Sequence, residues 1–274
     1  MGGSSRYARP DIKGSWKDIK TLLAAPANGI VMEDFSHYLA ATDIIDSDHP
    51  RILAFAENRC GDAKEPIEKA VRLYYAVRDE IRYDPYMPFH LPGHYRASSV
   101  LDIGRGFCVP KVSLLCAAGR ACGIPSRAGF ADVRNHLATK QLLESMGSDT
   151  FVFHGFTEFY LEGKWVKATP AFNAELCKRH GVAPLEFNGR VDSVFQPFND
   201  SSQRFMEYLT FRGTYSDIPV KEIVAAFLQT YGEERVRGWI EGYDKHEDAR
   251  PGCFDQEDIV TNELLLKSRS STSF

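Results

Sequence analysis

Gly104-Arg105-Gly106-Phe107-Cys108-Val109-Pro110-Lys111, continuing as VSLLCAAGRACGIPSR to Arg127, is the stretch from which the fold is read. A glycine-flanked turn leads into a segment where Val112, Leu115, Cys116 and Gly119 share one helical face, and Pro110 sits where a first-turn proline is tolerated. Gly123 suits a helix end, so the pattern predicts a helix over 108–122 and then a strand over 127–133. Cys108 thus stands at a helix N-terminus. Unpaired backbone N–H groups and the helix dipole there favour a thiolate, and the same donors suit a developing oxyanion. Cys60, Cys116, Cys122, Cys177 and Cys253 lie where any small hydrophobic residue would serve.

Outward from this stretch, helical spacing covers 52–60 and 66–81, and Pro66 suits a first turn. Residues 83–98 hold three prolines and a glycine among aromatics, which predicts a long ordered loop. Downstream, the pattern predicts a short helix over 137–146 and two strands, 151–161 and 164–168, joined at Glu162-Gly163 by a tight hairpin turn. Beyond Pro184 it is irregular until two amphipathic helices at 220–231 and 233–243. These elements give a loosely ordered arm at 1–30 with a turn of helix near 16–23, one domain at 31–264 and a disordered tail at 265–274.

Composition narrows the function. With 43% hydrophobic residues the 274-residue chain can fill a sizeable core. A net charge of −4 with both signs interspersed gives no field for gathering phosphate backbones, so nucleic acid is not an expected partner. No apolar run reaches the roughly 18 residues that cross a bilayer, and no membrane association is expected. Six cysteines without paired spacing do not make a disulfide framework, and a reducing cytoplasm is the expected setting. No zinc-type pairing and no acidic calcium loop is present, so neither metal nor organic cofactor is expected.

A thiol nucleophile in acyl transfer requires a histidine that takes its proton and later protonates the leaving group. Among eight histidines, His154 interrupts the apolar run Phe151-Val152-Phe153 just before Gly155, whereas His90, His94 and His136 fall in loops or at element edges.

These residues carry a resemblance. The run Gly106-Phe107-Cys108 through Gly123-Ile124-Pro125-Ser126-Arg127 resembles the nucleophile helix and following strand of the transglutaminase-like superfamily, and His154-Gly155-Phe156-Thr157-Glu158 with Gly163-Lys164-Trp165 is similar to its histidine block. The resemblance implies an α+β fold with a papain-like core. The cysteine helix would pack on an antiparallel sheet that brings His154 to Cys108, with additional N- and C-terminal helices. It also implies a bacterial cysteine enzyme that attacks an amide, ester or thioester carbonyl of a peptide, protein or small molecule. Its acyl-enzyme would pass to water in preference to an amine. Where the family places an orienting aspartate this chain has Thr169, so that role falls to Thr169 or Asn173, or to a carboxylate such as Asp132 or Glu158. The same departure supports a competing reading, a catalytically silent fold that binds a peptide or small ligand. Arg127 reads as a hydrogen-bonding anchor and Trp165 as core, and Glu158 as a partner of Arg127 or Lys111. Tyr83 reads as packing or an oxyanion donor. The sequence does not give the oligomeric state.

Overall fold

The computed structural model describes residues 34–195, 202, 205–245, 254–257 and 259–261. The expected arm at 1–30 and tail at 265–274 lie outside these residues. Of the two compact units, Met1–Asp34 and Phe35–Phe274, the second carries the described helices and strands.

Before the Cys108 segment come α1 (Ser36–Leu39), α2 (Pro50–Cys60), α3 (Pro66–Glu80), the short strand β1 (Arg82–Tyr83) and α4 (Ala97–Ile103). Both α2 and α3 open on a proline, whose fixed φ and missing N–H suit a first turn. The expected loop at 83–98 ends sooner than the sequence implied, with a single 3-10 turn at Pro92–His94 and α4 beginning at Ala97. Seven residues of Ala-Ser-Ser-Val-Leu-Asp-Ile are too few to reveal a helical period.

β2 (Arg105–Gly106) pairs in parallel with β1, and extended Phe107 leads into α5 (Cys108–Ala121). The sequence suggested one apolar face, but α5 is buried along nearly its whole length, Lys111 and Arg120 included. Buried cations persist only where oxygens meet them. Lys111 Nζ donates to the carbonyls of Arg78 at 2.8 Å and Ile81 at 2.6 Å, at the end of α3. Arg120 donates to the carbonyls of Ser126, Ala40 and Ser216, tying three segments to one helix.

The chain continues through β3 (Ser126–Asn135), β4 (Leu137–Thr139), α6 (Lys140–Met146), β5 (Thr150–Leu161), β6 (Lys164–Ala168), α7 (Ala174–Arg179), β7 (Met206–Tyr215), α8 (Val220–Tyr231), α9 (Glu233–Lys245) and β8 (Ile259–Thr261). Four strands form an antiparallel sheet in the order β6-β5-β3-β7. The β5–β6 turn has Glu162 at φ 47° and Gly163 at φ 81°, the pair of positive dihedrals that a two-residue hairpin needs. Helix α5 packs on β5 so closely that a Cβ at Gly119 would lie 2.4 Å from Ser126 Oγ and 2.5 Å from the Phe159 ring. The molecule is therefore α+β, with the cysteine helix against an antiparallel sheet and helices α8 and α9 added after it.

Strand β7 falls in the stretch the sequence left irregular. It is an edge strand pairing only with β3, is mostly exposed, and carries two register shifts, so no inside–outside alternation marks it.

Candidate active site

Cys108 is the first residue of α5 and is 8% exposed. The strand opposite approaches it because residue 155 is glycine: a Cβ there would lie 3.4 Å from Val109 Cα and 3.3 Å from Val112 Cγ2. Backbone N–H groups of Gly155, Val109 and Cys108 itself act on the sulfur and favour its thiolate, as does Lys111 when protonated, its own titration lowered by burial to about 7. Burial outweighs them and pushes the thiol up to about 11. The sequence expectation of a thiolate favoured by the helix N-terminus is thus corrected: the donors are present, but dehydration of the charged form is the larger effect.

His154 reaches the site through a bend in β5. The bulge lies in β5 itself: between the pairs Ala131–His154 and Val133–Phe151, Val152 and Phe153 stand against the single β3 residue Asp132, and Phe153 adopts φ 55°, a conformation that costs a non-glycine residue about 1–3 kcal/mol. Asp132, opposite the bulge, accepts the Phe153 N–H at 3.1 Å and is itself clamped by Arg212, which donates from Nε at 2.9 Å and from its terminal nitrogen at 2.7 Å. Past the bend, Gly155, Thr157 and Phe159 face α5, and Glu158 turns to the opposite side. The imidazole is 6% exposed, its Nε2 has no hydrogen-bond partner, and the Phe195 ring lies 5.4 Å away. Burial alone lowers its titration to about 4. Cys108 and His154 therefore rest as neutral thiol and neutral imidazole.

Neither carboxylate named from the sequence serves the imidazole. Asp132 holds the Phe153 backbone, while Glu158 accepts from Arg127 at 2.6 Å and faces Lys167 at 3.8 Å. Glu158 does not pair with Lys111, which is engaged with the α3 carbonyls. The Asn173 amide is engaged at the end of α3: its side-chain oxygen accepts the Tyr83 N–H at 2.8 Å, and its nitrogen donates to carbonyls including that of Ile81 at 2.9 Å. It fixes the start of β1 and makes no hydrogen bond to His154. Thr169 directly follows Ala168, the last residue of β6, whose partner on β5 is Thr157, so it lies just past the end of the strand beside that of His154. Its hydroxyl is buried with no hydrogen-bond partner, and the Tyr208 hydroxyl lies beside it without full hydrogen-bond geometry. Trp165 is half-buried and stacks on Arg127 at 3.9 Å, away from the residues lining the Cys108 cavity.

Cys108 and His154 line one cavity of about 350 Å³, within the usual range of small-molecule sites. Tyr83 lines it too. Its phenol is raised well above the usual range by burial first and by neighbouring Cys108 second. The β5 bulge, its hold by Asp132 with the clamp Arg212, and the cover Phe195 were not found from sequence as parts of the site. Of these only Asp132 had a signal, as a carboxylate one strand from the histidine. Among the described residues no three His, Cys, Asp or Glu side chains are grouped to hold a metal, and no helix is long and apolar enough to cross a membrane.

The family model described as the transglutaminase-like superfamily matches residues 54–170, which include Cys108, His154 and Thr169. A solved structure of a candidate cysteine protease from Cytophaga hutchinsonii superposes with a TM-score of 0.40 at 16% sequence identity, covering 67% of this chain and 54% of that one. The chain thus spans about half the length of that solved protein. No curated protein matches.

Proposed function

We propose, from the premise that this chain belongs to the transglutaminase-like superfamily, that it is a cysteine hydrolase in which Cys108 attacks the carbonyl of an ester, thioester or amide. The observation that carries this reading is the convergence of a first-turn cysteine, three backbone N–H groups at its sulfur and a histidine with an unpaired Nε2 on one cavity.

Because the resting pair is neutral, His154 acts as a general base during attack. The Cys108 S–H proton passes to the imidazole as sulfur bonds to the carbonyl carbon. The carbonyl oxygen then takes negative charge against the N–H groups at the start of α5, and the Tyr83 hydroxyl is placed to add a donor. The imidazolium next returns its proton to the leaving alkoxide, thiolate or amine as that bond breaks. Water, deprotonated in turn by His154, cleaves the resulting thioester and regenerates the thiol. Thr169, just past the end of the neighbouring strand, is the orienting group, contributing a hydroxyl and no charge.

The absence of a carboxylate at the imidazole among the described residues favours a second reading, a silent fold that holds a ligand in the same cavity. Hydrolysis of p-nitrophenyl butyrate, its thioester analogue and the corresponding anilide by the wild type, Cys108→Ala and His154→Ala separates the two. The enzyme reading expects turnover of at least one substrate and a loss of about a thousandfold or more in each variant. Turnover of none of the three by the wild type transfers the assignment to the silent fold.

A further inference from the structure

We propose that the cavity above Cys108 is an acyl-chain pocket, and that the natural acyl donor is a small ester or thioester of a medium-chain fatty acid. This rests on the reading of Cys108 as acyl acceptor and specifies its substrate.

The cavity's lining points to hydrocarbon. Among the described residues that wall it there is no Asp, Glu, Lys or Arg, whereas Met87, Phe89, Met146, Phe227 and Trp239 all contribute. Two of the five hydroxyls on its walls are turned to the protein: Tyr86 donates to Glu257 at 2.9 Å, and Tyr231 bonds the β5 backbone. A cavity of 350 Å³ is about twice the volume of an apolar cavity that takes up benzene, which suits an acyl group of about eight to twelve carbons.

Space is kept open by glycine. Gly238 and Gly242 stand one turn apart on α9 and both line the cavity, and a Cβ at either would meet nothing within 4 Å. Glycine inside a helix disfavours it relative to alanine, and no close neighbour forces the absence of a side chain at either position. Both glycines are exposed, and the pair leaves the α9 side of the cavity without side chains at two positions one turn apart.

A peptide fits less well. An extended peptide needs backbone partners, and the β5 edge that would supply them is capped by Tyr231. The Tyr231 hydroxyl accepts the Val152 N–H at 3.1 Å and donates to the Thr150 carbonyl at 3.0 Å.

The test uses the full chain carrying Cys108→Ala, so that binding is read without catalysis. Octanoate, decanoate, dodecanoate and an N-acetyl-leucyl-phenylalanine amide are titrated by calorimetry, with Trp239 fluorescence as a second signal. Decanoate is expected to bind, with affinity rising about two- to fourfold per added methylene. Gly242→Leu in the same background is expected to weaken decanoate at least tenfold, and Gly238→Leu is the second variant. Both substitutions enter open space in a helix, so both should fold. Failure of decanoate to bind, affinity independent of chain length, indifference to both leucines, or preference for the peptide each overturns the pocket. Turnover of an acetyl ester by the wild type without decanoate binding overturns the pocket and leaves the cysteine hydrolase standing. Chain-length-dependent binding without turnover supports the pocket and removes the enzyme.

Discussion

The Asp132 carboxylate accepts the backbone N–H of Phe153 at 3.1 Å, one residue before His154, and so holds the strand in the bend that turns the imidazole into the cavity. Asp132 touches no reacting group and acts as a positioning residue. Asp132→Ala is expected to lower kcat by about ten- to a hundredfold with a smaller change in KM, the scale of misplacing a catalytic group by an ångström. Arg212→Met, which removes only the clamp, should have a weaker effect in the same direction. The imidazole carbon shifts of His154, followed by NMR across pH, should move in both variants. Unchanged shifts together with unchanged kcat would show that the bend does not depend on Asp132.

His154 makes the fold sensitive to acid. Its folded titration lies near 4, against an ordinary value of 6.5, because burial penalises the imidazolium. Between these values the unfolded chain binds a proton that the folded chain does not. Stability present above pH 6.5 is therefore lost as pH falls toward 4, by on the order of 3 kcal/mol. Denaturant titrations at pH 7, 5.5 and 4.5 on the wild type and His154→Gln should show a steeper decline in the wild type. Parallel declines would place the acid sensitivity elsewhere.

Cys108 should alkylate slowly at neutral pH, because its thiol is pushed up to about 11. Iodoacetamide labelling mapped by peptide mass spectrometry is expected to rise with pH through and beyond 9, with His154→Ala changing the neutral rate little. Fast labelling at pH 6 that His154→Ala abolishes would mean a preformed ion pair in place of the neutral pair.

Tyr83 is a further group to test. Tyr83→Phe removes a hydroxyl from the cavity wall and leaves the ring contacts with Phe172 and Phe254. A loss of about ten- to a hundredfold in kcat/KM, with the melting temperature held, is expected of an oxyanion donor. Full activity in the variant would assign Tyr83 to packing.

How far these features were legible follows from the kind of signal each left. The nucleophile helix and the β5–β6 hairpin were readable because a glycine-flanked cysteine, a helical period and a Glu-Gly turn are local patterns. Edge strand β7 was not, since a mostly exposed, bulged strand has no alternation to read. The turn of His154 into the site was invisible for a related reason. Simple alternation along β5 ignores its bulge at Val152 and Phe153, and only the folded pairing shows Phe153 at φ 55°. Asn173 suits an orienting role by type and by its place near the histidine block, and only the fold shows that proximity to the end of α3 gives its amide other partners. The charge state of Cys108 could not be read from its helix position, because the dipole is a sequence-visible effect and the depth of burial is not.

The central claim, that Cys108 forms an acyl-enzyme with the help of His154, is tested most directly by rapid mixing with p-nitrophenyl butyrate followed by acid quench and peptide mass spectrometry. A burst of nitrophenol matched by a butyryl adduct on the Cys108 peptide, lost in His154→Ala, is the predicted result. Hydrolysis without an adduct at Cys108, or a burst that survives Cys108→Ala, would contradict it.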